Sequence, residues 1–84
     1  MEFPFGDQTV SAKNGFAITP SNSADLSSIA RAIYVGGGGD LAVILQLDTQ
    51  SIILVGVPTG SVIPISAKRV LATGTTATNL IGLH

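Results

Sequence analysis

In YVGGGGDLAVIL, residues 34–45, four consecutive glycines separate two apolar runs, and the conformation of this segment distinguishes a nucleotide-binding loop from a corner between strands. A P-loop needs Lys and Ser or Thr after its glycines, and both it and a dinucleotide fingerprint need a following helix. Here the glycines and Asp40 run into LAVILQL, which has the composition of a strand. Glycine adopts positive φ without steric cost, as tight hairpin turns require. We therefore predict a corner between two strands, with residues 36–39 and Asp40 as a hairpin loop.

Short runs rich in β-forming residues follow one another along the chain, with Gly, Pro, Asp and Thr between them. Runs repeated at about 8–12 residues are typical of a small antiparallel β-sandwich or barrel, and no apolar period of a helix competes. We predict an all-β fold of about six to seven short strands. The predicted strands are residues 30–35, 41–47, 51–57, 61–66, 68–73 and 79–83. Pro64 removes a ladder donor, which predicts that its strand is an edge or carries a bulge.

Two of these predicted strands are apolar on both faces, whereas a strand with one solvated face alternates. In the strand 41–47, one predicted face has Leu41, Val43, Leu45 and Leu47, and the other has Ala42 and Ile44. In the strand 51–57, one predicted face has Ile53, Val55 and Val57, and the other has Ile52 and Leu54. The pattern therefore predicts that the outer face is covered as well. Without helices to cover it, neighbouring copies of the chain are the expected cover.

Size and composition also favour assembly. The chain has 84 residues, 45% of them hydrophobic and only 11% charged. A domain this small buries only about 60% of its unfolded surface and draws at most about 3–5 kcal/mol from its core. No cysteine is present for a disulfide, and one histidine cannot build a histidine-based zinc site. Association with further subunits is the remaining source of stability, so we predict a homo-oligomer.

Charge and hydropathy argue against several classes of partner. The net charge is −1, and the basic residues are Lys13, Arg31, Lys68 and Arg69, too few to attract nucleic acid. The first residues, MEFPFGDQ, lack the basic and apolar segments of a signal peptide. The longest apolar run, IILVGV at 52–57, is too short to span a bilayer. We predict no nucleic-acid partner, no membrane association and synthesis in the cytoplasm.

Catalytic chemistry lacks its parts in this sequence. The only imidazole is His84, at the chain terminus, so a nucleophilic triad has no base. The carboxylates are Glu2, Asp7, Asp25, Asp40 and Asp48. They fall in the first sixteen residues or in predicted turns, and none has metal-ligand spacing. We predict that the protein is not an enzyme and has no cofactor and no metal.

An irregular N-terminal arm, residues 1–16, precedes the predicted β-domain of residues 17–84. All three phenylalanines of the chain, Phe3, Phe5 and Phe16, lie in the arm. Burying an aromatic side chain stabilises by roughly 2–3 kcal/mol, which favours docking of the arm. Two destinations are open, the arm's own domain and a neighbouring subunit.

Four further side chains are candidates for subunit contacts. Arg31, Lys68 and Arg69 are the charges within predicted strands, either solvated or paired across subunits with Asp25, Asp40 or Asp48. Exposed pairs of this kind contribute about 0–1 kcal/mol. Tyr34 combines apolar area with a polar group and is either an interface anchor or a core residue.

Several motifs make the chain similar to a known family. ITPS, RAIYVG, the glycine run, GVPTGSVIPI and RVLATGTTATNL, within residues 16–83, resemble the head-spike base proteins of gene-transfer-agent particles and tailed bacteriophages. The block RVLATGTTAT is the most specific of these. The sequence departs from the family in IPISAKRVLA, where a more basic stretch is expected.

The resemblance implies a virion structural protein on the outside of the capsid. In its spike version, the family implies an oligomeric base at fivefold vertices, in contact with the major capsid protein and a spike fibre protein. A trimeric capsid decoration (cement) protein fits the same features. A small glycan-binding module ranks behind both, because the β-region holds a single aromatic residue. A polar loop with Thr75 and Thr76 is expected to meet a partner, and bulky replacements there should abolish docking without unfolding.

Overall fold

The computed structural model describes residues 12–84, which form a β-sandwich of two antiparallel sheets. Within this range the strands are β1 Gly15–Ala17, β2 Ala32–Gly37, β3 Gly39–Leu45, β4 Ser51–Val57, β5 Ser61–Ile63, β6 Ala67–Val70 and β7 Thr78–Leu83. The four-stranded sheet has the order β1-β7-β2-β5, and the three-stranded sheet has the order β4-β3-β6. The predicted all-β sandwich is confirmed.

The core lies between the inner faces of the two sheets, where alternate residues of each strand meet. Ile33 and Val35 of β2 face Leu41 and Val43 of β3, and all four are completely buried. The residue between the first pair, Tyr34, is exposed, which is the period of two expected of a strand with one solvated face. Leu80 of β7 completes this central layer.

Pro64 ends β5 after three residues, and β5 is an edge strand that pairs only with β2. The prediction of an edge at this proline is confirmed. The predicted strand 61–66 was too long, because proline cannot donate to a ladder. The predicted strand 68–73 also ends early, at Val70, where the chain leaves the sheet for a loop over residues 71–77.

The predicted strand 41–47 is corrected at both ends, to Gly39–Leu45. Leu47 lies in the following turn with 93% of its surface exposed, so its assignment to the apolar face was wrong. The predicted strand 30–35 also moves, since β2 extends to Gly37 and Ala30 forms an isolated bridge with Ala67. β1, absent from the predicted strands, straddles the proposed boundary between arm and domain, and that division itself stays a prediction.

The glycine run is a corner, but the predicted hairpin is wrong. β2 and β3 belong to different sheets and do not pair, so the chain crosses from one sheet to the other at Gly38. A Cβ on Gly38 would lie 2.6 Å from the Val57 carbonyl oxygen and 2.8 Å from the Thr59 nitrogen. A Cβ on Gly39 would lie 2.7 Å from Thr76 Oγ1. Close approach of two other backbone segments, rather than a hairpin turn, therefore requires these glycines.

A β-bulge in β4 changes which side chains face the core. Leu54 pairs with Leu41 and Val57 pairs with Gly39, so Val55 and Gly56 together lie opposite one residue of β3. Gly56 has φ +68°, the left-handed conformation that a bulge glycine adopts. The extra residue turns Val57 into the core beside Leu54, whereas strict alternation had placed it with Ile53 and Val55.

None of the described residues belongs to a helix with the length and apolar character needed to cross a membrane.

Candidate subunit interface

The two open sides of the sandwich are covered very differently. On one side, residues 18–30 run along the outer edge of β6, where the Ser21 N–H donates to the Val70 carbonyl and the Leu26 N–H donates to the Lys68 carbonyl. On the other side, β4 and β5 are joined by a short turn at residues 58–60, so the edges of the two sheets lie next to each other. Nothing among residues 12–84 pairs with the outer edge of β4.

The strands β4 and β5 contain no charged residue, and the Asp40 carboxylate of β3 binds the Gly56 N–H near one end of β4. Residues 49–67, which contain both strands, include no Asp, Glu, Lys or Arg. Sheet edges are ordinarily protected against association by charges, proline or bulges. The seven residues of β4 have only the bulge at Gly56, near one end, which leaves Ser51–Leu54 as a flat apolar edge.

A first apolar surface, the Val55 patch, consists of Ile52, Ile53 and Val55. Ile53 and Val55 lie on the outer face of the three-stranded sheet and are 55% and 78% exposed. Ile52 pairs with the buried Val43, so it points to the opposite face of β4 and is 42% exposed where the sandwich is open. The neighbouring Ala42, opposite Ile53 on β3, is buried. Gly74 of the 71–77 loop lies within reach of both Ala42 and Ile53. The outer face of the three-stranded sheet is therefore covered by the chain itself over β3 and exposed over β4. The prediction that neighbouring copies cover this face thus applies to β4 and not to β3.

A second apolar surface, the Tyr34 patch, is a row across the outer face of the four-stranded sheet. Its members are Ala17, Ile81, Tyr34 and Val62, consecutive cross-strand neighbours on β1, β7, β2 and β5. Tyr34 is 39% exposed and Val62 is 54% exposed, so Tyr34 is not a core residue. Cross-strand apolar pairs of this kind form a continuous surface without a polar break.

Of the three phenylalanines predicted to dock the arm, one lies within the described residues. Phe3 and Phe5 lie outside the described residues. Phe16 is half-buried on β1, and its ring packs on Gly82, where a Cβ would lie 2.6 Å from the ring. The His84 ring meets Phe16 edge to face at a centroid distance of 5.5 Å. Phe16 thus packs on its own domain, one of the two destinations left open.

The predicted charged contacts behave differently from one another. Arg69 Nε donates to Asp25 Oδ1 at 2.8 Å within the same chain, and Arg69 Nη1 donates to the Asn22 carbonyl at 3.3 Å. This pair fastens residues 22–25 to β6 within the chain. The pairing of Arg69 between subunits stays a prediction. Arg31 is exposed just before β2, and its backbone N–H donates to the Leu83 carbonyl at 2.7 Å.

The threonine loop binds its own domain. Thr75 Oγ1 accepts a hydrogen bond from the Ala42 N–H at 3.0 Å, and Thr76 Oγ1 accepts one from the Asp40 N–H at 2.8 Å. The Asp40 carbonyl in turn accepts from the N–H groups of Thr76 and Ala77. Both hydroxyls satisfy backbone donors of β3, so we expect their replacement to lower stability. The contact of this loop with a partner stays a prediction.

The sequence analysis did not single out four exposed residues as surface candidates, namely Ile52, Ile53, Val55 and Val62. Ile53 had been placed on a face covered by neighbours, but nothing marked it apart from Val57. The signal was present in Gly56, because a glycine within a β-branched strand indicates a bulge and hence a change of face. Within the described range, no three His, Asp or Glu side chains come together as metal ligands would.

No protein-family model matches the chain, and no curated protein matches it. Among solved structures, the chain is similar to a chain of one described as "Capsid of native GTA particle computed with C5 symmetry". A chain of that structure is 36% identical in sequence, with a TM-score of 0.79, and the match covers 99% of this chain and 100% of that one. The chain belongs to the family of this GTA capsid chain. Family membership at this identity and coverage supports a virion structural protein and a location in a virion particle.

Proposed function

We propose that the protein is a structural component on the outside of a tailed-phage or gene-transfer-like capsid, where it forms a pentameric head-spike base at the fivefold vertices. The observation that supports this most is the full-length similarity, at 36% identity, to a chain of a capsid computed with C5 symmetry. Closed rings are built from copies of one chain related by a rotation axis, and the proposed base is a ring of five. The copies would contact the major capsid protein below and a spike fibre above.

The surface of the domain supports association rather than catalysis. The Val55 and Tyr34 patches contain most of the large apolar side chains exposed in residues 12–84. Contiguous exposed apolar patches on a small protein mark interaction surfaces. The Asp40 carboxylate is used to hold the Gly56 N–H, and the hydroxyls of Thr75 and Thr76 hold β3. The proposed role is therefore mechanical, with no bond made or broken.

The proposal is tested in the particle. Particles purified from the producing host should contain the chain by mass spectrometry, and localised reconstruction should place five copies around each fivefold vertex. A matched preparation from a strain without the gene should lose that density and keep an intact shell. Density at threefold or quasi-threefold positions would instead identify the trimeric cement protein, and absence of the chain from particles would overturn both assignments.

A complementary measurement uses the isolated chain. Native mass spectrometry at micromolar concentration should give a multiple of five protomers for the spike base. A multiple of three would support the cement role. A sharply melting monomer that binds glycans on an array would favour the binding-module alternative and contradict the assembly proposal.

A further inference from the structure

We propose that the Val55 patch of one copy binds the Tyr34 patch of the next copy, in a head-to-tail contact that repeats around the ring. This inference rests on the proposed function, because it names the surfaces through which the copies of the proposed ring meet each other.

The directions of the two patches carry the inference. The Val55 patch belongs to the outer face and free edge of the three-stranded sheet, and the Tyr34 patch belongs to the outer face of the four-stranded sheet. The sheets pack through their inner faces, so Ile53 and Val55 point away from the Tyr34 patch within one copy, and Ile52 lies between the two surfaces at the open side. A twofold contact buries the same patch on both partners and would leave the other patch exposed. A contact between unlike patches buries both on every subunit, and only such a contact generates rings of more than two copies.

The chemistry of the two patches is matched. Ile52, Ile53 and Val55 on one side and Ala17, Tyr34, Val62 and Ile81 on the other are apolar apart from the tyrosine hydroxyl. The charge-free run of residues 49–67 contributes to both, through β4 and β5. A charged partner surface would lose its hydration against either patch without gaining an ion pair. A second copy of this chain supplies an uncharged surface of the required kind.

The size of the outer face limits how much surface one contact can bury. Four strands at about 4.8 Å spacing make a face about 19 Å wide. β2, with six residues, is about 20 Å long at roughly 3.3 Å per residue. A flat face of those dimensions is about 380 Å², roughly half of the about 800 Å² per partner buried in a standard interface. A subunit in a ring makes one such contact on each side and so buries about twice that area.

The test combines two variants that each remove one patch. Val55→Lys disrupts the first patch and Val62→Lys the second, and both positions are more than half exposed, so the fold should tolerate the change. Leu47→Lys is the matched control, because Leu47 is 93% exposed in the 46–50 turn and belongs to neither patch. Each patch variant alone should lower self-association on the order of 30-fold or more and give monomers, since a buried unpaired ammonium costs at least about 2 kcal/mol. The control should assemble like the unmodified chain.

The decisive sample is the equimolar mixture of the two patch variants. A Val62→Lys copy keeps its Val55 patch, and a Val55→Lys copy keeps its Tyr34 patch, so the mixture should form one intact contact and stop at a 1:1 heterodimer in native mass spectrometry. Dimers of either variant alone would show that like patches pair, and would overturn the inference. A mixture that stays monomeric would overturn it too. Thermal melts confirm folding, and Ile53→Lys and Tyr34→Lys replace any variant that melts early.

Failure of this inference is separable from failure of the proposed function. Variants that dimerise alone, with the unmodified chain still present at fivefold vertices, would overturn the contact and leave the function standing. A 1:1 heterodimer from the mixture, with no chain found in particles, would support the contact and overturn the function. An unmodified chain that is monomeric at micromolar concentration would overturn the contact.

Discussion

The carboxylate of Asp40 accepts a hydrogen bond from the backbone N–H of Gly56 over 3.0 Å. The two residues face each other across the bulge of β4, and that bulge turns Val57 into the core. The side chain thus supplies an acceptor for a backbone donor at the irregular part of the ladder.

We predict that Asp40→Ala lowers the free energy of unfolding by about 1–2 kcal/mol, because the Gly56 N–H loses its acceptor. Asp40→Asn keeps an amide oxygen at this place and should recover part of the loss. Urea denaturation measures both changes. Asp48→Ala is the control, since that carboxylate lies exposed in the turn between β3 and β4. Equal stability of the Asp40→Ala and Asp48→Ala proteins would contradict the assigned role.

The close approach of backbone at Gly38, where the chain crosses between the sheets, predicts that one added methyl group strongly lowers stability. Gly38→Ala places its Cβ 2.6 Å from a backbone oxygen, which cannot move as a flexible side chain could. We expect a loss of about 2–3 kcal/mol or failure to fold, as for other overpacked sites. In Gly15→Ala, the new Cβ meets its nearest neighbours at an ordinary 3.6 Å, so the thermal midpoint should barely change. Equal thermal midpoints of the Gly38→Ala and Gly15→Ala proteins would contradict the close backbone approach at Gly38.

The contact of Phe16 with Gly82 predicts a coupled pair of substitutions. Gly82→Ala alone should destabilise by about 1–3 kcal/mol, because its Cβ meets the Phe16 ring at 2.6 Å. Phe16→Ala alone should cost about 2 kcal/mol from lost burial of a half-buried ring. In the Phe16→Ala background, Gly82→Ala should cost almost nothing. A double-mutant cycle by chemical denaturation measures the coupling, and additive effects would show that the two residues do not touch.

The threonine loop gives a prediction about stability. Thr75→Val keeps the shape of the side chain but leaves the partly buried Ala42 N–H without an acceptor. We expect a loss of about 1–2 kcal/mol by thermal denaturation. Thr19→Val, at an exposed position next to Ile18, is the control and should change stability by less than about 0.5 kcal/mol. Unchanged stability of Thr75→Val would restore the loop as a free docking element.

The Arg69–Asp25 pair should matter little for either folding or assembly. Its side chains are 25% and 54% exposed, so water screens the interaction. Asp25→Asn should lower the free energy of unfolding by no more than about 0.5–1 kcal/mol. Because the pair lies within one chain, the mass of the assembly in native mass spectrometry should not change. Loss of assembly on this substitution would return the pair to the subunit interface.

Local residue chemistry determined the strands of this protein. Alternating and β-branched runs specify extended backbone over short distances, and the absence of a helical period excluded competing elements. Pro64 marked an edge strand because a missing N–H acts on its own position, whatever the partner strand is. The glycine run likewise indicated a corner through its own conformational freedom and lack of a side chain.

Which strands pair, and which side chains each surface exposes, depends on the tertiary structure. Whether the chain folds back at Gly38 or crosses to a second sheet depends on pairing with strands far along the chain, which no local pattern encodes. The same distant pairing gave Thr75 a backbone donor to satisfy, moved Val57 inward through the bulge, and left β4 with an uncovered edge. The sequence does not distinguish an apolar residue on the inner face of a sheet from one on the outer face. The elements that pack against each face determine whether that residue is buried or exposed.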